Sequence, residues 1–199
     1  MRSRRSSAAG PGGDAVQQVI IVTGPAGAGK SSVAAALCER FDRMVHIEVD
    51  TLRHMVRAGY RHPWLEGDAQ AAEQRLLATR NAAAIARESV TMRYAVVIDD
   101  VVDASVVAQY REALAGIEAN VHFVTLLPSL DVALARDAGR SASIPDQVRA
   151  LHAEFSREAA LGILPGLVLD NSDDPDAALT ADRVQDAVRR GEALIIGGG

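Results

Sequence analysis

The stretch Gln18–Ser31, QVIIVTGPAGAGKS, decides the fold of this chain. Its first six residues form a short apolar, β-branched run, which is typical of a strand buried in a parallel sheet. The eight residues that follow match the pattern G-x4-G-K-[ST], known as the P-loop. From Lys30 onward the apolar residues recur at helical spacing. The sequence therefore predicts a strand, a phosphate-binding loop and a helix in immediate succession.

The chemistry of this loop depends on its residue types. Glycines let backbone N–H groups converge on an anion without side chains in the way, and the N-terminal end of the helix adds positive charge. Lys30 is predicted to reach the β- and γ-phosphates, and the Ser31 hydroxyl to bind Mg²⁺. The predicted nucleotide contacts are Gly24, Pro25, Ala26, Gly27, Ala28, Gly29, Lys30, Ser31 and Ser32. The alternative is a glycine-rich turn that binds nothing.

The basic residues are distributed unusually. Lysine and arginine together number 21, yet Lys30 is the only lysine. Such a bias is typical of a GC-rich coding sequence that uses arginine wherever either residue serves. Because lysine is a compact point charge and arginine a wide planar fork, we expect Lys30 to occupy a site where arginine does not serve.

Length and composition limit the possible classes of protein. A chain of 199 residues fits one domain. The single cysteine, Cys38, excludes an internal disulfide framework and favours a cytoplasmic location. A formal net charge of -5 argues against a general nucleic-acid or membrane-surface binder, and no apolar run approaches the ~20 residues of a membrane helix.

Strands and helices alternate along the chain, which predicts a parallel sheet covered on both faces. The predicted strands span residues 18–23, 44–49, 94–98, 121–127 and 167–169. We predict an α/β fold of three layers with a five-stranded parallel sheet. A single domain is expected over 16–194, with a small lid at about 138–145 and flexible tails at 1–15 and 195–199.

Two carboxylates follow the third predicted strand, in the sequence VVIDD at residues 96–100. At this edge of the sheet an acidic residue holds Mg²⁺ in P-loop proteins. Asp99 is the predicted metal ligand because it comes directly after the apolar run, and Asp100 is assigned to the substrate. The alternative is a turn in which an aspartate caps the next helix.

Asp50 ends the second predicted strand at the same edge. A kinase needs a group there that orients the acceptor hydroxyl and takes its proton, and Asp50 is the predicted base. The alternative is that Asp50 only caps the helix that starts at Thr51. Arg53, one helical turn further on, either holds a polar or anionic substrate or is simply solvated.

Two further groups are candidates for the site. Arg136 and Arg140 flank the start of the small-residue segment 138–144, as expected for catalytic arginines on a mobile lid, although a helix C-terminus also favours positive charge. Tyr60 and Trp64 lie in the loop GYRHPWLEG at 59–67. They are predicted either to contact the acceptor or to form a hydrophobic plug.

The ordered set of motifs resembles the small P-loop kinases near chloramphenicol phosphotransferase, within the shikimate- and gluconate-kinase-like and zeta-toxin-like group. The segments that carry the resemblance are GPAGAGKSS, HIEVDTLR, VVIDDVV, HFVTLLPSLDVALARDAGR and LVLDNSDDP. The resemblance spans about residues 18–185 and implies an α/β, three-layer P-loop kinase fold with five parallel strands in the order 2-3-1-4-5. It implies Asp50 as the base, Arg136 and Arg140 as lid arginines, and a chain segment around the adenine that includes Asn171.

The expected function is ATP- and Mg²⁺-dependent phosphorylation of a hydroxyl on a small molecule, with antibiotic inactivation as the first hypothesis. Alternative acceptors are a sugar nucleotide, a metabolite or a polynucleotide 5′ end, the last disfavoured by the acidic charge. A P-loop switch that hydrolyses ATP slowly is a further alternative. The sequence does not decide whether the nucleotide is ATP or GTP, or whether the protein is a monomer or a homodimer.

Overall fold

The structure is a computed structural model that describes residues 17–65, 67–139 and 142–198. Its strands are β1 (Gln18–Thr23), β2 (Met44–Glu48), β3 (Ala95–Asp99), β4 (Asn120–Leu126), β5 (Leu167–Leu169) and β6 (Leu194–Ile196). Its helices are α1 (Lys30–Cys38), α2 (Val49–Arg53), α3 (Ala69–Thr91), α4 (Ala104–Ala113), α5 (Leu130–Ala138), α6 (Pro145–Ala160) and α7 (Ala177–Arg189). Within the described ranges no helix is both long and apolar enough to cross a bilayer.

The sheet has the strand order β2-β3-β1-β4-β5, with all neighbouring pairs parallel. This confirms the predicted order. The register places Glu48 of β2 opposite Asp99 of β3, and Val22 of β1 opposite the same Asp99. The carboxyl ends of the central strands therefore meet at one edge, where ligands bind in open α/β sheets.

Side chains that alternate along the strands build a core on each face of the sheet. Val19 and Ile21 pack on the face covered by α3 and α4, whereas Ile20 and Val22 pack on the face covered by α1 and α7. Helix α3 meets the sheet with small residues, among them Ala78, Ala82 and Ala86. This arrangement of two helical layers around one sheet is the predicted three-layer architecture.

Helices α1 and α7 are joined by the Arg40 side chain. Its guanidinium donates to the Asp182 carboxylate at 2.7 Å and to the backbone oxygen of Ala178 at 2.6 Å. It also donates to the backbone oxygen of Ala36 in α1. Helix α1 follows the P-loop, and α7 follows the segment after β5. Arg40 therefore ties together the helices that come after these two segments.

The C-terminal strand β6 was not among the predicted elements. It pairs antiparallel with the first part of β4, where Val121 lies opposite Ile196. The backbone N–H of Phe123 donates to the oxygen of Ala193 at 2.8 Å. The predicted tail from residue 195 is therefore too long, because a run of only three apolar residues pairs with a distant strand. The predicted tail at 1–15 lies outside the described residues, as does residue 199.

Candidate active site

The P-loop lies between β1 and α1 and is packed closely against its surroundings. Gly27 has a φ of +79°, and a Cβ there would lie 2.2 Å from the backbone oxygen of Ala133 in α5. Gly29, with φ 90°, is the N-cap of α1 and provides no side-chain cap. The first backbone N–H groups of α1 therefore remain directed at the cavity, as an anion site requires.

Lys30, Ser31 and Asp99 lie together below this loop. The Lys30 ammonium donates to the backbone oxygen of Pro25 at 3.1 Å. Burial alone would raise the pKa of Asp99, but His46, Lys30 and Ser31 outweigh it and hold that pKa below its ordinary value. Asp99 is therefore a charged carboxylate next to a hydroxyl, at the position predicted for the metal.

The donors present fit Mg²⁺. This ion prefers oxygen ligands and usually combines one or two carboxylates with substrate phosphates and water. Asp99 is only 7% exposed and lies beside the Ser31 hydroxyl, within reach of the phosphate loop. Among the described residues, no group of three or more histidine, cysteine or acidic side chains forms a protein-only metal cluster. Ser31 and Asp99 are the residues that would hold Mg²⁺, together with the nucleotide.

Asp50 projects from the start of α2 toward the same cleft, and its side chain is 75% exposed. One Nη of Arg53 donates to Asp50 at 2.5 Å, and the other donates to Asp100 at 2.5 Å. The Tyr110 hydroxyl donates to the second oxygen of Asp100 at 2.8 Å. A chain of hydrogen bonds therefore runs from the buried Tyr110 to the accessible carboxylate of Asp50 and fixes its orientation.

Three details differ from the sequence analysis. Helix α2 begins at Val49 with Glu48 as its N-cap, so Asp50 lies in the first helical turn and does not cap the helix. Arg53 is 8% exposed and not solvated, and its two ion pairs raise its pKa despite burial. The Asp100 side chain is 1% exposed, which fits a role in holding Arg53 better than direct contact with a substrate.

A cavity of about 390 Å³ opens beside the P-loop and has the position of a nucleotide site. Arg136 borders it and donates to the backbone oxygens of Ala28, at 3.3 Å, and Asn171, at 3.0 Å. The Asn171 amide donates to Ala28, while its buried side-chain oxygen has no hydrogen-bond partner among the described residues. An acceptor atom left unpaired at the cavity is suited to a ligand that carries donors, such as a nucleotide.

The predicted lid is anchored at its base. Asp137 in the last turn of α5 is fully buried and accepts hydrogen bonds from the Ser143 hydroxyl at 2.7 Å and from the backbone N–H of Ile144 at 2.8 Å. Arg140, the second predicted lid arginine, lies outside the described residues. Arg136 lies beside the phosphate loop, where it donates to the backbone oxygen of Ala28.

The two aromatic residues of the 59–67 loop occupy different places. Tyr60 stacks on His54 with ring centroids 5.3 Å apart, in a surface cluster beside α2. Trp64 lines a cleft of about 310 Å³ together with Lys30, Asp50 and Asp99. The structure therefore brings Trp64, and not Tyr60, to the reaction centre.

Several residues at the site were missed by the sequence analysis. Tyr110 holds Asp100, and His46 approaches Asp99 with 3.9 Å between Nε2 and Oδ2. Asp174 and Thr180 border the nucleotide cavity and hydrogen-bond to each other at 2.8 Å. Of these residues, only His46 could have been inferred from the sequence. It lies two residues before Glu48 in β2, so both side chains lie on the same face of the sheet, and Glu48 is the register partner of Asp99.

The model of one family, described as an AAA domain, matches residues 19–160. The chain belongs to that family. The matched range contains the P-loop, Asp50, Asp99 and Arg136. Among curated proteins, none matches the sequence.

Solved structures with the same fold include several kinases. The tunicamycin resistance protein of Deinococcus radiodurans has a TM-score of 0.61 at 20% identity, covering 91% of this chain and 99% of that one. Shikimate kinase from Bacteroides thetaiotaomicron has a TM-score of 0.62 at 16% identity, covering 88% and 99%. The Mycobacterium tuberculosis APS kinase, in complex with AMPPNP and APS, gives 0.58 at 18% identity, covering 87% and 98%. At such identities these likenesses show the P-loop kinase fold.

Proposed function

We propose that this protein is an ATP- and Mg²⁺-dependent phosphotransferase that acts on a hydroxyl group of a small molecule. The observation that carries the proposal is the composition of the 310 Å³ cleft. Lys30 and Ser31 of the phosphate loop, the charged Asp99 and the accessible Asp50 all line it. Such a cleft combines phosphate-binding groups with a carboxylate able to serve an acceptor, which a nucleotide switch does not need.

Asp50 acts as the base. The acceptor hydroxyl donates its proton to the Asp50 carboxylate while its oxygen bonds to the γ-phosphorus. The bond from that phosphorus to the bridging oxygen breaks, and ADP leaves with the electron pair. Because Arg53 fixes one oxygen of Asp50, the other oxygen is free to face the acceptor. Holding the reacting groups in this way contributes by orientation as well as by proton transfer.

The charge that spreads over the transferred phosphoryl group is met by Lys30 and Arg136. Lys30 lies at the end of the loop, and Arg136 borders the nucleotide cavity from α5. Hydrogen bonds to backbone oxygens hold both side chains beside the phosphate loop, and charges held in this way reduce the reorganisation that the reaction requires. Mg²⁺, held by Ser31 and Asp99, would neutralise phosphate oxygens when it is bound.

Within this function, we propose inactivation of an antibiotic as the physiological role. The support is twofold: the motifs resemble those of chloramphenicol phosphotransferase, and the fold is shared with a protein described as conferring tunicamycin resistance. The acceptor cleft also offers an aromatic side chain, Trp64, to a ring-bearing compound.

The test is to incubate the protein with ATP and Mg²⁺ and a panel of hydroxylated antibiotics and metabolites, and to detect phosphorylated products by mass spectrometry. A thermal-shift screen narrows the panel, because a true acceptor stabilises the fold by mass action. We expect a product whose mass has grown by one phosphoryl group, and its loss in Asp50→Asn. Release of inorganic phosphate with no phosphorylated compound in the panel would support a nucleotide switch instead.

A further inference from the structure

Two cavities meet on the acceptor side of the molecule. The first is the 310 Å³ cleft that contains Lys30, Asp50 and Asp99. The second, of about 900 Å³, is bordered by the first turns of α3, by one face of α6 and by the loop before α3. Trp64 and Val101 line both. A molecule with its hydroxyl at Asp50 can therefore continue past Trp64 into the larger space.

The loop that carries Trp64 is tied to α3. The backbone N–H of Arg61 donates to the Gln74 side chain at 2.9 Å, and the Gln74 amide donates to the backbone oxygen of Gly59 at 2.8 Å. Asp68 caps α3 at the other end of the loop. Trp64 therefore lies on a loop that hydrogen bonds hold against α3.

Large apolar side chains are left exposed around these cavities. Trp64 is 39% exposed, Leu65 47% and Ile144 40%. Trp64 and Leu65 line the large cavity, and Ile144 lines the small one. Apolar groups gathered at a concave surface mark a ligand site, because a bound molecule removes them from water.

The far end of the large cavity is polar and carries both signs of charge. Arg75 and Arg157 line it together with Asp103 and Glu154. Burial and the nearby Asp103 and Glu158 raise the pKa of Glu154, against the opposing pull of Arg157 and Arg75. Because neither sign dominates, this end favours a neutral or zwitterionic hydrogen-bonding group over a strong anion.

We propose that the acceptor is an elongated, drug-sized molecule of several linked rings that occupies both cavities. Its hydroxyl-bearing head lies at Asp50, a planar or apolar middle part packs on Trp64, and a polar end lies near Arg75 and Glu154. Volumes of about 300–1,000 Å³ are those of pockets for drug-sized ligands, and the larger cavity alone reaches the upper part of this range. This inference rests on the proposed kinase activity and makes Trp64 a specificity-determining residue.

The first experiment uses Trp64 as its own probe, since it is the only tryptophan of the chain. The protein with ADP and Mg²⁺ is titrated with hydroxylated compounds that range from single-ring molecules, such as shikimate and chloramphenicol, to a multi-ring antibiotic, such as tunicamycin. We expect changes of fluorescence that saturate with drug-sized compounds. A series in which only single-ring compounds change the fluorescence, or in which no drug-sized compound does, overturns the inference.

The second experiment fills the large cavity. Ala72 on α3 and Ala153 on α6 are exposed and line it, so Ala72→Phe and Ala153→Phe obstruct it without disturbing the core. Ala160→Phe, exposed on the same helix as Ala153, is the matched control. We expect a loss of at least about tenfold in kcat/KM for multi-ring acceptors in the two cavity variants, with ATP hydrolysis by water unchanged.

Trp64→Ala is expected to raise KM for a multi-ring acceptor about tenfold and to leave KM for ATP unchanged, while Trp64→Phe restores most of the difference. Cavity variants that phosphorylate large acceptors as well as Ala160→Phe does would overturn the inference. Phosphorylation confined to single-ring compounds also overturns it but leaves the kinase activity standing. Absence of phosphoryl transfer to every compound, with fluorescence responses to large ones retained, contradicts the proposed function and not the shape of the site.

Discussion

The phosphate-binding side and the acceptor side of the cleft are built by different means. On the phosphate side, one continuous segment, Gly24–Ser32, forms the phosphate-binding loop through its backbone and the start of α1, and Asp99, Arg136 and Asn171 are added to it from other parts of the chain. On the acceptor side, side chains from α2, α3, α6 and the 59–67 loop are assembled from distant parts of the chain. A backbone site leaves a contiguous motif in the sequence, whereas a side-chain site leaves scattered residues that only the fold brings together.

The largest effect expected on the acceptor side comes from Asp50→Asn. The amide cannot accept a proton at neutral pH, and a positioned base contributes about 10²–10⁴-fold. We expect kcat to fall by that factor while the Kd for ATP stays within a few-fold, measured by calorimetry. The helix should persist, since Asp50 lies within α2 and is not its cap.

Retention of phosphoryl transfer in Asp50→Asn would show that the acceptor does not lie at the start of α2. Loss of ATP binding in this variant would mean that the phosphate-binding side and the acceptor side do not function independently. Glu48→Gln is the matched control, because Glu48 also lines the cleft but forms neither a hydrogen bond nor an ion pair with Arg53 in the described structure.

On the phosphate side, Lys30→Arg is expected to be nearly as damaging as Lys30→Ala. The loop closes around a compact ammonium that donates to the Pro25 backbone, and a wide guanidinium places its charge elsewhere. We expect kcat to fall by about 10²–10³-fold, the loss typical of one charge-stabilising group. If Lys30→Arg kept most of the wild-type kcat, a requirement of the reaction would not explain why Lys30 is the only lysine of the chain.

The sequence was sufficient to predict those features of the structure that depend on residues close together in the chain. The P-loop and the ends of β5 follow from a contiguous motif and from the alternation of strands and helices, whereas the order β2-β3-β1-β4-β5 was predicted from the resemblance to small P-loop kinases. β6 was missed because three apolar residues before glycines give no periodicity, and its partner β4 is far away in the chain. The start of α2 was placed too late because Asp50 has the residue type of a cap.

The hydrogen-bonded chain behind Asp50 was beyond the reach of the sequence for a similar reason. Arg53 and Asp100 are 47 residues apart, and nothing in either segment indicates that they pair. Tyr110 is an ordinary apolar position of α4 until the fold places its hydroxyl against Asp100. A positioning network of this kind becomes visible only in the three-dimensional structure, because it depends on which side chains the fold brings into contact.

Arg53→Lys tests that network with an intermediate effect. A single ammonium cannot pair with Asp50 and Asp100 in the fork geometry that the guanidinium provides. We expect kcat to fall about 10–100-fold through misplacement of Asp50, with KM for ATP unchanged. A purely structural Arg53 would instead lower the denaturation midpoint and leave kcat of the folded fraction intact, so both are measured.

The smallest effect concerns the lid, and hydrogen exchange measures it. The segment 138–143, AGRSAS, offers almost no apolar bulk, so we expect its opening to cost little free energy beyond the hydrogen bonds that Asp137 accepts from Ser143 and Ile144. We expect exchange there to slow when ATP and Mg²⁺ are added, while exchange in β1 stays unchanged. Equal exchange with and without nucleotide across this segment would exclude a lid closed by the nucleotide.

The link made by Arg40 between α1 and α7 has a thermodynamic consequence. The phosphate loop leads into α1, and the wall of the nucleotide cavity from Asp174 to Thr180 leads into α7. Because Arg40 bonds to both helices, the two walls are preorganised relative to each other before the nucleotide arrives. Little conformational entropy of these two walls is then lost when ATP binds, so the affinity for ATP is not spent on ordering them.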